Sequence, residues 1–401
     1  MTSPIDTGTD ASAGIGAAQR LHGLDALRAS ALLLGIVLHS LLPFVPGLPW
    51  LVNDSESSWL AAVPVYVIHL FRMTLFMLLA GYFGRLVLQR RGPGAYLRDR
   101  VLRILLPLIV FWPVSVLSLG ILAVINAQVH GVALPAPPTP PPASANPLAA
   151  INPGQLWFLW VLMQCVVIVL ALRGVAVLLL GQDRLSRLAA GLGGLLSSPY
   201  GVLLAAIPYA LALLQQGSVL GGIIAPASLL PELPALTAYL GAFVVGWSLH
   251  ARSDALVRLA RIWLPLLAAA VLLSVLGWFQ SDPTRSTPLP AAAVVMALAG
   301  WCWVLGLLGA SGRFLTAERP WVRYLVDASY WMYLIHLPLL VAVEIPLVTL
   351  DWPITIRLLF TGVVVGSVLL ISYHLLVRST PIGRWLNGRR YPFRIPGRRT
   401  R

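Results

Sequence analysis

The feature of this sequence that most restricts its fold is a series of long apolar runs separated by short polar links. Each run has about 18 to 25 residues, the length that an α-helix needs to cross a bilayer. Of the 401 residues, 58% are hydrophobic and 10% are charged, whereas a soluble domain carries roughly 25% charged residues. The sequence therefore predicts an all-α polytopic membrane protein with about ten transmembrane helices. The predicted spans lie near residues 26–45, 63–86, 102–126, 155–180, 199–216, 234–250, 262–280, 290–310, 327–350 and 355–378.

Arginine residues concentrate in alternate links between the runs. The links after the second, fourth, sixth and eighth runs and the C-terminal tail are rich in arginine, and the other links contain only Arg285. Because basic links stay in the cytoplasm during membrane insertion, this pattern predicts that both termini are cytoplasmic. The formal net charge of +14 is thereby explained by membrane topology, and we predict no nucleic-acid partner.

The chain divides into three predicted parts. Residues 1–20, rich in small and polar residues, predict a disordered cytoplasmic leader. Residues 21–380 form the predicted membrane domain, and residues 381–401 form a basic cytoplasmic tail. The proline-rich stretch LPAPPTPPPASANP, residues 134–147, predicts polyproline II or disordered chain. Since no link is long enough to fold as a soluble domain, the function is expected to reside in the membrane domain.

The first apolar run, LDALRASALLLGIVLHS, keeps an arginine and a histidine in a hydrophobic segment. Arg28 and His39 are eleven residues apart. That spacing is about 20° from three full helical turns, so both side chains share one helix face, roughly 16 Å apart along the axis. One alternative is that Arg28 extends to the lipid headgroups and that His39 is a hydrogen-bonded packing residue. A buried imidazole is costly without a use, which favours a functional His39.

Two further runs carry polar residues at similar depths. IHLFRMTLFMLLAGYF contains His69 and Arg72, and DASYWMYLIHLPLLVAVEIPLV contains Tyr333, His336 and Glu344. Titratable residues within spans usually face the bundle interior and mark a substrate or proton path. We therefore predict that His69, Arg72, Tyr333 and His336 bind substrate. The alternative for Arg72 is a structural ion pair with an acid such as Glu344.

The third run opens in an arginine-rich stretch, YLRDRVLRILLPL. Arg100 and Arg103 are three residues apart and share a helix face at the predicted cytoplasmic end. Guanidinium groups at the mouth of a membrane cavity suit phosphate binding. The alternative is a topology signal alone, which we favour for the nearby Arg90 and Arg91.

Taken in order along residues 21–380, these segments resemble the acyltransferase 3 family of integral membrane acyltransferases. LDALRASALLLGIVLH resembles the family's first-helix motif, and Arg100-Val-Leu-Arg103 resembles its paired-arginine motif. LAGYF, LWFLWVL and YLIHLP are similar to further family signatures, and IHLFRMTLFMLLAGYF is most similar to the branch of glucan-modifying succinyltransferases. The chain departs from the family pattern at Ala80, where serine is frequent, and at Gln155, where histidine is frequent.

The resemblance implies an enzyme of the bacterial inner membrane, surrounded by lipids. Such an enzyme takes an acyl group from a cytoplasmic acyl-CoA and transfers it to a hydroxyl of a glycan or lipid-linked acceptor of the cell envelope. It implies that His39 is the essential histidine and that Arg28, Arg100 and Arg103 bind the donor.

The chemistry of these residues leads to a mechanistic hypothesis. We predict an O-acyltransferase, moving an acetyl or succinyl group, in which His39 is the general base, since imidazole titrates near neutral pH. Glu344 is predicted to orient His39 or to share its proton. Both cysteines lie in apolar runs and are expected to be packing residues, so no metal site is predicted. The alternative function is a secondary transporter with buried His and Glu as a proton relay, although the sequence shows no internal repeat.

Overall fold

The computed structural model describes residues 8–132, 146–216, 220–280, 289–315, 317 and 319–392, with side chains from residue 22 onward. Within those residues the chain forms twelve α-helices and no β-strand. The helices are α1 (Gly8–Leu41), α2 (Trp59–Arg100), α3 (Leu106–His130), α4 (Trp157–Leu180), α5 (Gln182–Leu196), α6 (Gly201–Leu214), α7 (Leu233–Ala251), α8 (Ala255–Gln280), α9 (Pro290–Phe314), α10 (Pro320–Leu347), α11 (Ile354–Ser372) and α12 (Pro381–Asn387).

Some predicted features fall at or beyond the limits of the described chain. Nearly all of the proline-rich stretch, Arg285 and residues 393–401 of the basic tail lie outside the described residues. Helix α1 begins at Gly8, inside the leader for which composition predicts no regular structure. A helix that has already formed extends at little further cost, which accounts for its continuation before the first span. The division into leader, membrane domain and tail otherwise stays a prediction.

Eight helical segments of the described chain are long and apolar enough to cross a membrane, or nine if the bent pair α5 and α6 is one span. This confirms the predicted all-α polytopic membrane fold. The eight segments are His22–Phe44, Trp59–His130, Gly154–Leu180, Leu233–Ala251, Ala255–Gln280, Pro290–Phe314, Pro320–Leu347 and Ile354–Val377.

Two local features account for the difference between the eight segments and the ten predicted spans. The predicted spans near 63–86 and 102–126 both fall in Trp59–His130, a stretch of 72 residues, whereas one crossing needs only about 20. Gly92 interrupts that stretch with φ 76° and ψ 171°, a conformation that glycine adopts without steric penalty. The predicted span near 199–216 corresponds to α6, whose 14 residues cover only about 21 Å. Helix α6 follows α5 at an angle of 97°.

Glycines set the close approach of α2 and α7. A Cβ atom on Gly81 would overlap the carbonyl oxygen of Phe243, and one on Gly246 would overlap the carbonyl oxygen of Leu78. Small residues at a helix interface let backbones approach closely, which matters in lipid because close packing drives helix association there. This contact fixes the position of α2, which carries two of the predicted substrate-binding residues.

A buried ion pair holds the link between α1 and α2. Arg357 of α11 binds Asp54 of the link, and their side chains are only 3% and 2% exposed. Arg357 also lies 3.4 Å from the Glu56 carboxylate and donates from Nε to the main-chain oxygen of Trp352 at 2.7 Å. The link is therefore fastened to the helix bundle.

We predict that Gly246→Ala lowers the thermal stability of the detergent-purified protein. The added methyl group must displace the backbone of α2, and overpacking of this kind costs about 1–3 kcal/mol. The matched control is Gly366→Ala in α11, where a Cβ atom would meet nothing within 4 Å. Equal melting temperatures for the two variants would contradict the close packing of α2 and α7.

We also predict that Arg357→Gln destabilises the protein strongly. Removing one partner leaves Asp54 as an uncompensated buried charge, which costs about 3–5 kcal/mol. Thermal unfolding followed by size-exclusion chromatography measures the loss.

The control for that variant is Arg258→Gln, at an exposed ion pair. Arg258 and Asp254 are 2.9 Å apart and each is 42% exposed. The hydrogen bond from Arg252 lowers the pKa of Asp254 to about 2, so this carboxylate stays ionised at the pH of the assay. Because water screens the pair, its loss has little effect on stability. A larger loss from Arg258→Gln than from Arg357→Gln would refute the argument.

Candidate active site

Two histidines from distant parts of the sequence meet in the bundle interior. The ring centroids of His39 on α1 and His336 on α10 are 5.3 Å apart, with the rings tilted by 46°. The Nδ1 atom of His336 lies 2.8 Å from the main-chain oxygen of Tyr333. A carbonyl oxygen only accepts hydrogen bonds, so in this contact Nδ1 carries the proton. The Nε2 atom of a neutral His336 is then an unprotonated acceptor.

The link between α1 and α2 places an aromatic ring against His39. Trp50 stacks on the imidazole with centroids 5.5 Å apart and an angle of 18°. The main-chain amide of Trp50 donates to Oδ1 of Asn53 at 3.0 Å, which supports the turn that presents the indole. His39 thus lies against the rings of a histidine from α10 and a tryptophan from the link.

Helix α2 contributes the positive charge of the site. Arg72 and His69 are close enough to His39 to interact with it electrostatically. The structure therefore brings together His39, His336, His69 and Arg72, four of the residues predicted from the sequence. A Cβ atom on Gly35 of α1 would overlap the Arg72 guanidinium, so a glycine makes the room for this side chain. His69 forms a hydrogen bond with the main chain of Leu220.

Tyr333 connects this cluster to the start of α4. Its hydroxyl donates to the main-chain oxygen of Gln155 at 3.1 Å, and Nε2 of Gln155 donates back to the oxygen of Leu334 at 3.1 Å. Tyr333 also lies within electrostatic range of Arg72. Gln155, at the position where the resemblance implies a frequent histidine, therefore connects the start of α4 to α10.

Several polar atoms around His39 are enclosed and have no hydrogen-bond partner in the described chain. They are Nδ1 of His39, Nε1 of Trp50, Nδ1 of His69 and Nε of Arg72. An enclosed polar group without a partner costs about 1–3 kcal/mol. Groups left in this state at one place indicate a site that a polar ligand completes.

Glu344 lies apart from this cluster. It is 5% exposed, and neither carboxylate oxygen has a hydrogen-bond partner among the described residues. It lines a small cavity together with Ser40, Asp54 and Arg357. Eight residues of helix, about 12 Å, separate Glu344 from His336. The suggested ion pair between Arg72 and Glu344 is therefore absent from the described structure, and Glu344 makes no hydrogen bond to His39 there.

The predicted donor-binding arginines fall into two places. Arg100 and Arg103 both contact Asp99, at 3.3 Å and 2.9 Å. Arg28 instead pairs with Asp25 at 3.3 Å and places its guanidinium 5.9 Å from the centre of a phenylalanine ring on α2. The structure thus brings Arg100 and Arg103 together around one carboxylate and gives Arg28 other partners.

Sequence patterns did not reveal some of the site residues. Trp50 lies in a link that carries no motif, and Tyr239 of α7, which is within electrostatic range of Arg72, lies in an ordinary apolar run. Asp99 did carry a signal, since an acid four residues before Arg103 suits a helical ion pair. Among the described residues, no group of three or more His, Cys, Asp or Glu side chains could hold a metal ion.

Comparison with known proteins identifies the family of this chain. Residues 21–375 match the acyltransferase 3 family, described as "Acyltransferase domain". Glucans biosynthesis protein C of Escherichia coli K12 is 34% identical over 147 residues, which are 36% of this chain and 37% of that protein. The same protein of Escherichia coli SMS-3-5 is 33% identical over the same length. The match spans only about a third of these curated relatives, and no solved structure matches the chain.

The helical membrane fold, the ordered motifs and the match over most of the chain agree with one another. This chain belongs to the acyltransferase 3 family and is an all-α polytopic membrane protein.

Proposed function

We propose that the protein transfers an acetyl or succinyl group from a cytoplasmic acyl-CoA to a hydroxyl group of a glycan acceptor, with His39 as the general base. The observation that carries this proposal is the cluster around His39, where His336 lies 5.3 Å away and Arg72 is within electrostatic range. The cluster therefore provides a general base and, beside it, a cation to stabilise the negative charge that develops during the reaction.

The chemical steps balance with no further reactant. His39 takes the proton of the acceptor hydroxyl while the oxygen forms a bond to the thioester carbonyl carbon. The carbon–sulfur bond then breaks, and the thiolate of CoA leaves with the bonding electrons. The imidazolium returns the proton to that thiolate, so the products are the acyl ester and free CoA.

Arg72 is suited to the charge that appears during this reaction. The carbonyl oxygen of the thioester becomes negative as the acceptor attacks, and a fixed cation in a water-poor site stabilises such a charge strongly. The guanidinium is held against Gly35 and is therefore already in place before substrate binds. His69, Tyr333 and His336 are proposed to contact substrate beside it, and the unpartnered Glu344 to influence His39 only from a distance.

A glycan suits the unsatisfied polar atoms around His39. A sugar offers several hydroxyl groups that donate and accept hydrogen bonds, which the enclosed nitrogens of His39, His69 and Trp50 lack in the described chain. The curated relatives are named for glucan biosynthesis, which points to the same class of acceptor. A lipid-linked saccharide would present the same hydroxyl groups.

The donor is proposed to enter from the cytoplasm. The arginine-rich links predict that both termini lie on that side. Arg100 ends α2 and Arg103 follows in the turn before α3, whereas Arg28 lies within α1, six residues after the start of the span His22–Phe44. Arg28 and His39 are about 16 Å apart along α1, a distance that the pantetheine arm of CoA can cover. Phosphates held by arginines at the mouth would thus leave the thioester beside His39.

Mass spectrometry of envelope glycans tests the overall proposal. Glycans from cells with the protein should carry an acyl group that is missing from glycans of a deletion strain and restored by the wild-type gene. Identical glycans in the two strains would refute the glycan acceptor.

We predict that His39→Ala lowers acyl transfer by at least about 100-fold, because general base catalysis typically contributes 10²–10⁴-fold. Membranes that contain the variant are incubated with radiolabelled acetyl-CoA or succinyl-CoA, and label in the glycan fraction is counted. The control is His374→Gln near the end of α11, which leaves the cluster intact. Wild-type turnover by a well-folded His39→Ala protein would show that His39 is not the base.

We predict that Arg103→Gln raises KM for acyl-CoA about 10-fold or more while kcat changes little. A hydrogen bond to a charged group contributes about 1.5–3 kcal/mol, and this one is proposed to be made equally in the ground and transition states. Arg187→Gln, an exposed arginine on α5, controls for the general effect of one positive charge. A fall in kcat with unchanged KM would contradict a donor-binding role.

A further inference from the structure

The short C-terminal helix lies directly beside the paired arginines. A cavity of about 360 Å³ separates α12 from the start of the third predicted span. Its lining comes from two chain segments 280 residues apart and consists of Asp99, Leu102, Arg103, Pro381, Arg384 and Trp385. A volume of this size lies at the lower end of the range for small-molecule sites.

A π-helical turn explains why α12 is held at this place. Residues Val101–Leu105 form this turn between α2 and α3, and wide turns of this kind often occur at functional sites. The oxygen of Leu102 accepts a hydrogen bond from Nε1 of Trp385 at 2.8 Å. The oxygen of Arg103 accepts one from the hydroxyl of Tyr330 at 2.7 Å. Both partners come from the C-terminal part of the chain, and both bind the segment that carries the arginines.

A second anchor follows α12. Asp327 of α10 is 7% exposed and receives hydrogen bonds on its carboxylate from Arg389 at 2.7 Å and from the Tyr391 hydroxyl at 2.8 Å. Its main-chain oxygen accepts a third from Nδ2 of Asn387 at 2.8 Å. These contacts fix the chain on both sides of the cavity and thereby fix the backbone position of Arg384.

The charges around the cavity favour an anion. Arg103 and Arg384 are the two cations in the lining, and Asp99 is its one acid. Asp99 is engaged by Arg100 and Arg103, whereas Arg384 makes no ion pair within the described chain. A Cβ atom on Gly388 would overlap the Arg103 guanidinium, so the end of α12 also sets the position of that arginine. Two guanidinium groups facing one cavity match the geometry of a phosphate.

We propose that Arg384 is a donor-binding residue and that the segment Pro381–Gly388 forms a wall of the site for the phosphate-bearing nucleotide of acyl-CoA. Arg384 binds a phosphate from the side opposite Arg103. The cavity accepts only part of the CoA molecule, and the pantetheine arm extends from it toward the bundle interior. This inference rests on the acyl-CoA donor of the proposed function.

Ligand-induced thermal stabilisation of the full-length protein in detergent tests the inference, because a ligand that binds only the folded state raises its melting temperature. The probes are acetyl-CoA and adenosine 3′,5′-bisphosphate, which carries the 3′-phosphate and the first 5′-phosphate of CoA without thioester or pantetheine. We expect Arg384→Gln to raise the half-saturating concentration of both probes about 10-fold and Arg384→Glu to raise it further. Arg384→Lys, which keeps the charge, should recover part of the affinity.

Two further variants separate this site from general charge and folding effects. Arg261→Gln removes an exposed arginine from α8 and should bind both probes like the wild type. Trp385→Phe keeps an aromatic ring but loses the hydrogen bond to Leu102, and it should weaken binding in the same direction as Arg384→Gln. Arg384 is exposed, so its variants should fold, and their melting temperatures without ligand check this.

The outcomes distinguish the two proposals. If acetyl-CoA stabilises the wild type but Arg384→Gln binds it equally well, the role of Arg384 is refuted and the acyl-CoA donor stands. Equal weakening by Arg261→Gln would also refute it, because the effect would then be one of net charge. If acetyl-CoA does not stabilise the wild type at all, the donor assignment fails, and this inference fails with it.

Discussion

The cost of placing charge inside a lipid bilayer is the constraint on which the rest of this structure depends. Hydrocarbon offers no hydrogen bonds, so the backbone must be helical, and each buried charge needs a partner or a use. The buried Arg357 has a partner in Asp54. Arg72 has no acidic partner within the described chain and lies among histidines instead. That difference sets Arg72 apart from Arg357, whose ion pair fastens a link to the helix bundle.

Backbone contacts place these side chains. Close packing through Gly81 and Gly246 fixes α2 against α7, and Gly35 leaves room on α1 for the Arg72 side chain. The site is therefore assembled by helices that touch through positions with no side chain at all. Catalytic groups held on rigid helices need little rearrangement when substrate arrives, which is the condition for electrostatic stabilisation of a developing charge.

Much of the fold and part of the site could be predicted from the sequence. Apolar runs showed the membrane helices, and the titratable residues within them included His39, Arg72 and His336, which the structure brings together. Apolar length alone does not reveal the break at Gly92 inside Trp59–His130 or the bend between α5 and α6. Trp50 could not be found, since a link residue carries no periodic pattern. The separation of Glu344 from His39 depends on the angle at which α10 crosses α1, and a single sequence does not reveal that angle.

The link that covers His39 and the exposed arginines differ in how they respond to salt. Trp50 rests on the imidazole, and the same link is fastened by Asp54 to Arg357, with both ions almost fully enclosed. Mobile ions in solution weaken exposed charge pairs over a Debye length of about 8–10 Å but reach enclosed pairs far less. The cover over His39 should therefore keep its place from dilute to concentrated salt, while the exposed arginines at the other end of the helices experience every change in ionic strength.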